Sequence, residues 1–206
     1  MSWHACYGSR ASHLSLAWTI IVVFLPLWSP VSAIELEPSR AHIDAALEEG
    51  RSAARDRIPP DRLYAWFGSS QDLEPRGFLM TKIVGLRVMA THFALRGEHP
   101  SESEIQSILN EPALLVSAML YGDHPTFAVD SYMLLAQQQQ IIKPTKVRFD
   151  GRANRTSVWP ASPRYQAKIV ASFAYAEIDP RAQTRISVFP ASGGEFSFDV
   201  DFATID

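Results

Sequence analysis

Phe196-Ser197-Phe198-Asp199-Val200-Asp201-Phe202 is a stretch in which apolar and polar residues alternate without a break. Successive side chains of a β-strand point to opposite faces of the sheet, so this period of two places the phenylalanines and the valine on one face. A strand with one apolar and one polar face covers a core on one side and meets water on the other. The stretch therefore predicts an antiparallel sheet that packs against a second layer.

Similar signals extend back through the second half of the chain. Residues 167–175 alternate in the same way, and the apolar runs at 114–121 and 127–136 are typical of strands buried on both faces. Turn-forming residues separate the candidate strands at Asp150-Gly151, Asp179-Pro180 and Ser192-Gly193-Gly194. The end of the chain predicts a three-stranded meander. With the earlier strands the total is about six or seven, which suits an antiparallel β-sandwich of immunoglobulin-like size.

The residues before this region contain helix signals. Residues 39–57 predict one amphipathic helix, with Ser39 as its cap and a pair of prolines after its end. Its apolar residues recur at helical spacing: Ile43, Ala46, Leu47 and Ala54. Ser101 and Glu104 form a capping-box pattern that predicts a short helix near 101–110. The fold class is therefore predicted to be α+β.

Two segments are harder to interpret. Residues 61–77 mix aromatic residues with turn residues, which predicts an ordered connection without showing its geometry. Residues 78–96 are strongly apolar and fit either a helix without a clean polar face or a strand with a bulge at Gly85. Their β-branched content slightly favours extended structure. The predicted organisation is a helix plus aromatic connection at 34–77 and a mainly β domain at 78–206.

The first 33 residues predict an export signal. They lack Asp and Glu, carry an apolar run at 14–27, and end on the small residues Val31-Ser32-Ala33 that a signal peptidase accepts. Cleavage is expected between Ala33 and Ile34, and the protein is expected to be periplasmic or extracellular. The alternative is an uncleaved membrane anchor, because the apolar run is only a few residues shorter than the about 20 that span a bilayer.

Composition excludes several classes of protein. The single cysteine, Cys6, precedes the apolar run and would leave with the signal, so the mature chain would have no disulfide, thiolate metal site or cysteine nucleophile. Nineteen basic against 22 acidic side chains give a net charge of −3, which argues against a basic nucleic-acid footprint. No phosphate-binding loop, nucleophile elbow, zinc motif or calcium loop is found in the sequence. We therefore predict no metal site and no cofactor.

Two sets of residues could support an exported hydrolase. Asp199 and Asp201 share one strand face, and His99 could meet Asp123 and His124 if the fold joined their loops. The simpler interpretation is that these are solvated carboxylates opposite a phenylalanine row and exposed loop histidines. We keep the hydrolase as the alternative and consider a noncatalytic protein the better interpretation, with no catalytic residue assigned.

The best candidate contact surface lies in the loop between residues 150 and 163. Arginine and tryptophan often dominate binding energy at interfaces, and here they occur together as Arg152, Arg155, Trp159 and Arg164. The competing interpretation is that Trp159 folds back onto the sandwich edge. By analogy with other sandwich modules, we expect a noncatalytic binding or envelope-associated accessory protein. Its partner would be an unidentified protein or a surface ligand, for example an anionic or carbohydrate-like group, and not a nucleic acid; a membrane would be involved only if the signal stayed uncleaved.

Overall fold

The structure, a computed structural model, describes Met1 and residues 33–205. The export segment predicted at residues 1–33 lies outside them apart from its first and last residues. In this described part of the chain, no helix combines the length and the hydropathy needed to cross a membrane.

The first helix, α1, spans Arg40–Arg55 and confirms the amphipathic helix predicted from the sequence. The Ser39 side chain accepts a hydrogen bond from the backbone N–H of His42 and so caps one of the otherwise unpaired donors of the first turn. The buried residues of α1 form one stripe: Ile43, Ala46, Leu47, Gly50 and Ala53. This stripe faces the second helix.

The second helix, α2, spans Lys82–Leu95, so the preference for extended structure over most of 78–96 was wrong. Thr81 starts the helix because its hydroxyl accepts from the backbone N–H of Val84. The clean polar face is missing because α2 is enclosed on more than one side, and a helix in that position is apolar around much of its circumference. Gly85 lies opposite Ile108 instead of forming a strand bulge.

The third helix, α3, spans Glu102–Leu109 and has the predicted capping box in full. Ser101 accepts from the backbone of Glu104, and the Glu104 carboxylate accepts from the backbone of Ser101. The three helices share a small apolar core of their own, formed by Ile43, Ala46, Leu47, Ile83, Leu86, Ala90 and Ile105.

The described residues contain ten strands: β1 (Ala65–Gly68), β2 (Arg76–Met80), β3 (Ala113–Gly122), β4 (Tyr132–Gln137), β5 (Gln140–Ile142), β6 (Lys146–Phe149), β7 (Asn154–Arg155), β8 (Tyr165–Ala174), β9 (Gln183–Phe189) and β10 (Phe196–Asp201). They form two sheets. The first has the order β1-β2-β3-β8-β6, with β7 also paired to β8, and the second has the order β10-β9-β4-β5. All of these pairs are antiparallel.

The two sheets pack face to face around one core, which confirms the predicted sandwich within an α+β fold. Residues from β3 and β8 of the first sheet and from β4, β9 and β10 of the second belong to a single buried cluster. Its largest fully buried side chains include Phe173, Phe202, Met133, Leu135 and Ile186. The alternation in β10 is as predicted, because Val200 is buried whereas Ser197 and Asp199 are exposed.

Several details of the β region differ from the predictions. The predicted three-stranded meander is wrong. Of its three strands, β8 belongs to the first sheet, and only β9 and β10 pair with each other. Turn residues show that the chain reverses but not which sheet the next strand joins, and β8 instead pairs with β3 along its whole length. Residues 65–80 contain the hairpin of β1 and β2, so the border predicted between residues 77 and 78 falls within β2.

Candidate functional site

The loop that joins β6 to β8, residues 150–164, is here called the Trp159 loop. The part of the loop that carries Trp159 is closed at Thr156, whose backbone N–H donates to the carbonyl of Arg164 at 2.9 Å and whose hydroxyl donates to the carbonyl of Pro163 at 2.6 Å. Thr156 is buried, although most of the loop around it is exposed. The short strand β7 also ties the first part of the loop to β8.

A carboxylate outside the loop fixes its second half. Asp123, which follows β3, accepts a hydrogen bond from the Ser162 hydroxyl at 2.9 Å and another from the backbone N–H of Arg164 at 3.1 Å. The guanidinium Nε of Arg164 lies 3.9 Å from the same carboxylate. Through these contacts Asp123 stabilises the conformation of the Trp159 loop.

The tip of the Trp159 loop presents an aromatic ring with a cation over it. The Trp159 side chain is 43% exposed, and the Arg155 guanidinium carbon lies 4.1 Å from the centre of its ring. A guanidinium at this distance is attracted by the negative face of the indole. Of the four predicted residues, Arg155 and Trp159 therefore form one unit, and Arg164 is turned toward Asp123. Arg152 is exposed and makes no ion pair within the described residues.

The carboxylates considered for hydrolysis have structural contacts. Arg185 binds Asp199 through Nε at 2.9 Å and Nη2 at 3.2 Å, and this pair holds the pKa of the Asp199 carboxyl below its usual value. Asp201 accepts from the backbone N–H of Ala203 at 3.0 Å. Hydrogen bonds from Ser197 and Ser187 lower the pKa of Glu195. The carboxylates on this face of β10 are therefore hydrogen-bonded or ion-paired within the protein.

The loop histidines His99 and His124 also have separate surroundings. His124 shares a hydrogen bond of 2.8 Å between its Nδ1 and the Thr126 hydroxyl, and His99 is exposed before α3. Over residues 33–205 the structure contains no group of three or more His, Cys, Asp or Glu side chains placed to hold a metal ion.

A concave surface that the sequence did not predict lies on the outer face of the first sheet. We call it the outer groove, and it consists of two depressions of 350 and 430 Å³. Their floors are neighbouring rows of the same sheet face, Phe78 with Ser117 in the first and Met80 with Leu115 in the second. The floor of the groove is made by residues of β2, β3 and β8 that point away from the second sheet. The residues that line it include Trp66, Arg76, Phe78, Leu115, Met119 and Lys168.

Aromatic side chains build one wall of the outer groove. Tyr64 stacks on Phe78 with ring centres 4.3 Å apart, and the edge of Trp66 meets Phe78 at 5.5 Å. The indole N–H of Trp66 donates to the carbonyl of Asp61 at 2.7 Å, which fixes the ring although it is 43% exposed. The clustering of aromatics in residues 61–77 was the available signal, but only the sheet register places Trp66 beside Phe78 of β2.

No model of a known protein family matches this chain, and no curated protein matches it in sequence. The candidate functional surfaces of the described residues are the Trp159 loop and the outer groove.

Proposed function

We propose that this chain is an exported, noncatalytic binding protein that contacts its ligand through the Trp159 loop. The observation that supports this most directly is the half-exposed Trp159 ring with the Arg155 guanidinium above it. Tryptophan and arginine are enriched among the residues that contribute most to binding at interfaces. A ring held out of the core in this way offers apolar area to a partner.

The fixed conformation of the loop supports the same proposal. Binding costs free energy when it orders flexible side chains, so a surface that is already ordered retains more of its interaction energy. The contacts of Thr156 and Asp123 order the loop before any ligand arrives. Trp159 is thereby presented on a rigid support.

The chemistry of the loop selects the class of ligand. The indole offers a flat apolar surface, and the exposed guanidiniums of Arg152 and Arg155 offer donors that match a carboxylate, sulfate or phosphate. A ligand with both a stackable ring and an acidic group fits this combination. We propose an acidic sugar unit of a surface polysaccharide or glycoconjugate.

Export is part of the proposal because the sequence of residues 1–33 has the composition and the ending of a cleaved signal. The remaining chain has no cysteine, so its folding outside the cytoplasm needs no disulfide chemistry. Sequencing the N-terminus of the protein from its native host tests this directly. Cleavage after Ala33 is expected, and an intact Met1 would contradict it.

Binding of polygalacturonate, an acidic polysaccharide, tests the ligand class. We expect saturable binding that weakens at least about tenfold in Trp159→Ala, the change expected when a contact of about 1.4 kcal/mol is lost. Tyr132→Ala is the matched control, because Tyr132 is 41% exposed on the second sheet, and it should bind as the unmodified protein does. Equal binding by Trp159→Ala, or no binding of polygalacturonate by the unmodified protein, would overturn the proposal.

A further inference from the structure

The register of the first sheet shows which side chains share the floor of the outer groove. Arg76 lies opposite Met119, which lies opposite Lys168, and two residues farther along the strands Phe78 lies opposite Ser117. The next row pairs Met80 with Leu115. Directly opposed residues of antiparallel strands lie on one face. The floor therefore runs from a row with two cations to rows in which Phe78, Met80 and Leu115 are accompanied on β3 and β8 by the serines Ser117 and Ser172.

The apolar character of this floor is unusual for its position. The outer face of a sandwich sheet normally carries polar residues because it meets water. Here Phe78, Met80, Leu115 and Met119 are only partly buried, between the aromatic wall at one end and α2 with α3 at the other. A partly exposed apolar depression bounded by polar residues is typical of a ligand site.

The charged side chains of the groove indicate the sign of the ligand's charge. The charged side chains of Arg76, Lys168 and Arg148 face the groove, and none of them forms an ion pair within 4.0 Å in the described part of the chain. The Arg76 guanidinium lies over the Trp66 ring, 5.2 Å from its centre. The Asp150 carboxylate accepts a hydrogen bond of 2.8 Å from the backbone N–H of Lys168 and not from its ammonium group. Asp61 and Glu111 also line the groove, but a fourth cation, Lys82, leaves the lining positive in a chain whose net charge is −3. Local positive charge that no carboxylate neutralises in an ion pair complements an anion.

Two kinds of anionic ligand fit the groove poorly. An extended peptide that joins a sheet as a strand binds through unpaired backbone groups at an edge, whereas the backbone groups of β2, β3 and β8 are paired within the sheet beneath the groove. An acidic polysaccharide needs a polar partner for most of its hydroxyls. The middle of the floor is formed mainly by phenylalanine, leucine and methionine, and its serine, Ser117, is only 2% exposed.

We propose that the outer groove binds one anionic amphiphile. Its acidic head lies between Arg76 and Lys168, and its apolar body runs over Phe78 and Leu115 toward Met80. The distance from the cationic row to the Met80 row is four residues along the strand, about 13 Å, which suits a medium-chain acyl group. The methionines of the floor adapt to an irregular apolar body because their side chains are unbranched and polarizable. This site is separate from the Trp159 loop and does not depend on its role.

Isothermal titration of the purified protein with sodium decanoate, below its micelle concentration, tests this site. We expect saturable binding of one decanoate per chain, and at least tenfold weaker binding by Arg76→Gln/Lys168→Gln. The matched control Lys143→Gln/Arg181→Gln removes the same charge from exposed positions outside the groove and should bind decanoate normally. Acetate, which has the head without the body, and decanol, which has the body without the head, should each bind at least tenfold more weakly.

The double substitution could unfold the sheet, and circular dichroism would show this. A second variant, Leu115→Gln, then tests the site. Leu115→Gln changes the partly buried floor away from the cations and should weaken decanoate binding without altering the weak binding of acetate. The proposal is overturned if decanoate does not saturate, if decanol binds as tightly, or if neither groove variant weakens binding. It is also overturned if the groove variants abolish binding of polygalacturonate while decanoate remains unbound, because a polysaccharide would then be the occupant.

Discussion

At Gly50 the backbones of α1 and α2 approach so closely that a side chain has no room. A Cβ atom at this position would overlap the carbonyl oxygen of Arg87 and lie 2.7 Å from the Cβ of Ala90. The buried Thr91 hydroxyl donates to the carbonyl of Gly50 at 3.0 Å, which joins the helices at the same point. A single missing side chain therefore sets the distance between the two helices.

We expect Gly50→Ala to destabilise the protein, although alanine is the better helix former by about 1 kcal/mol. Forcing a methyl group into a packed backbone contact costs about 1–3 kcal/mol, and the helix preference offsets only part of that. The midpoint of urea unfolding measures the result. Gly151→Ala is the control, because a Cβ at Gly151 meets nothing within 4 Å. An unchanged midpoint in Gly50→Ala would contradict the described crossing.

At the scale of an element, α3 depends on its first turn. The Glu104 carboxylate accepts hydrogen bonds from the Ser101 hydroxyl at 2.7 Å and from its backbone N–H at 2.6 Å. These bonds, first the one from the side chain and then the one from the backbone, hold the pKa of Glu104 below its usual value. A lowered pKa in the folded state means that folding favours the ionised form, so this stabilisation is present above the ordinary carboxyl pKa and disappears as the pH falls through the lowered one.

The pH dependence of unfolding tests this coupling. We expect the urea midpoint to fall less between neutral and acid pH in Glu104→Gln than in the unmodified protein, because glutamine cannot lose the ionised contact. The effect should be small, since the carboxylate is solvent-exposed. Glu102→Gln, in the same turn, is the matched control, because Glu102 contacts Gln106 instead of the cap. It leaves the contacts between Ser101 and Glu104 in place, so the fall that those contacts cause should remain. Identical pH profiles for Glu104→Gln and the unmodified protein would count against the capping box.

At the scale of the whole molecule, the core begins immediately after the predicted cleavage site. Ile34 is 2% exposed and belongs to the core of the sandwich, and the carbonyl of Leu36 accepts a hydrogen bond of 2.8 Å from Lys82 Nζ. Ile34 and Leu36 are therefore packed on the fold, and Lys82 links Leu36 to the start of α2.

We expect a chain that begins at Ile34 to unfold at the same urea concentration as the full chain. A chain that begins at Ser39 should lose about 2–5 kcal/mol, the usual cost of removing a buried isoleucine side chain, together with the contact to Lys82. Urea unfolding followed by circular dichroism separates the two. If both shortened chains are equally stable, Ile34 contributes no core packing.

The sequence by itself determined the features that depend on residues close together in the chain. The caps at Ser39 and Ser101 and the alternation of residues 196–202 satisfy or bury groups within one turn or one strand, so their signals are local. The Trp159 loop could be predicted as a candidate surface for the same reason, because its arginines and tryptophan lie within one connection.

Only the tertiary structure decided what lies on either side of each element. Helix α2 has no polar face because other elements surround it, strand β8 joins β3 across more than forty intervening residues, and Phe78 and Lys168 share a groove only through that pairing. Such relations depend on which surfaces meet after the chain folds, and contacts between distant residues leave no periodic trace in the sequence near either one.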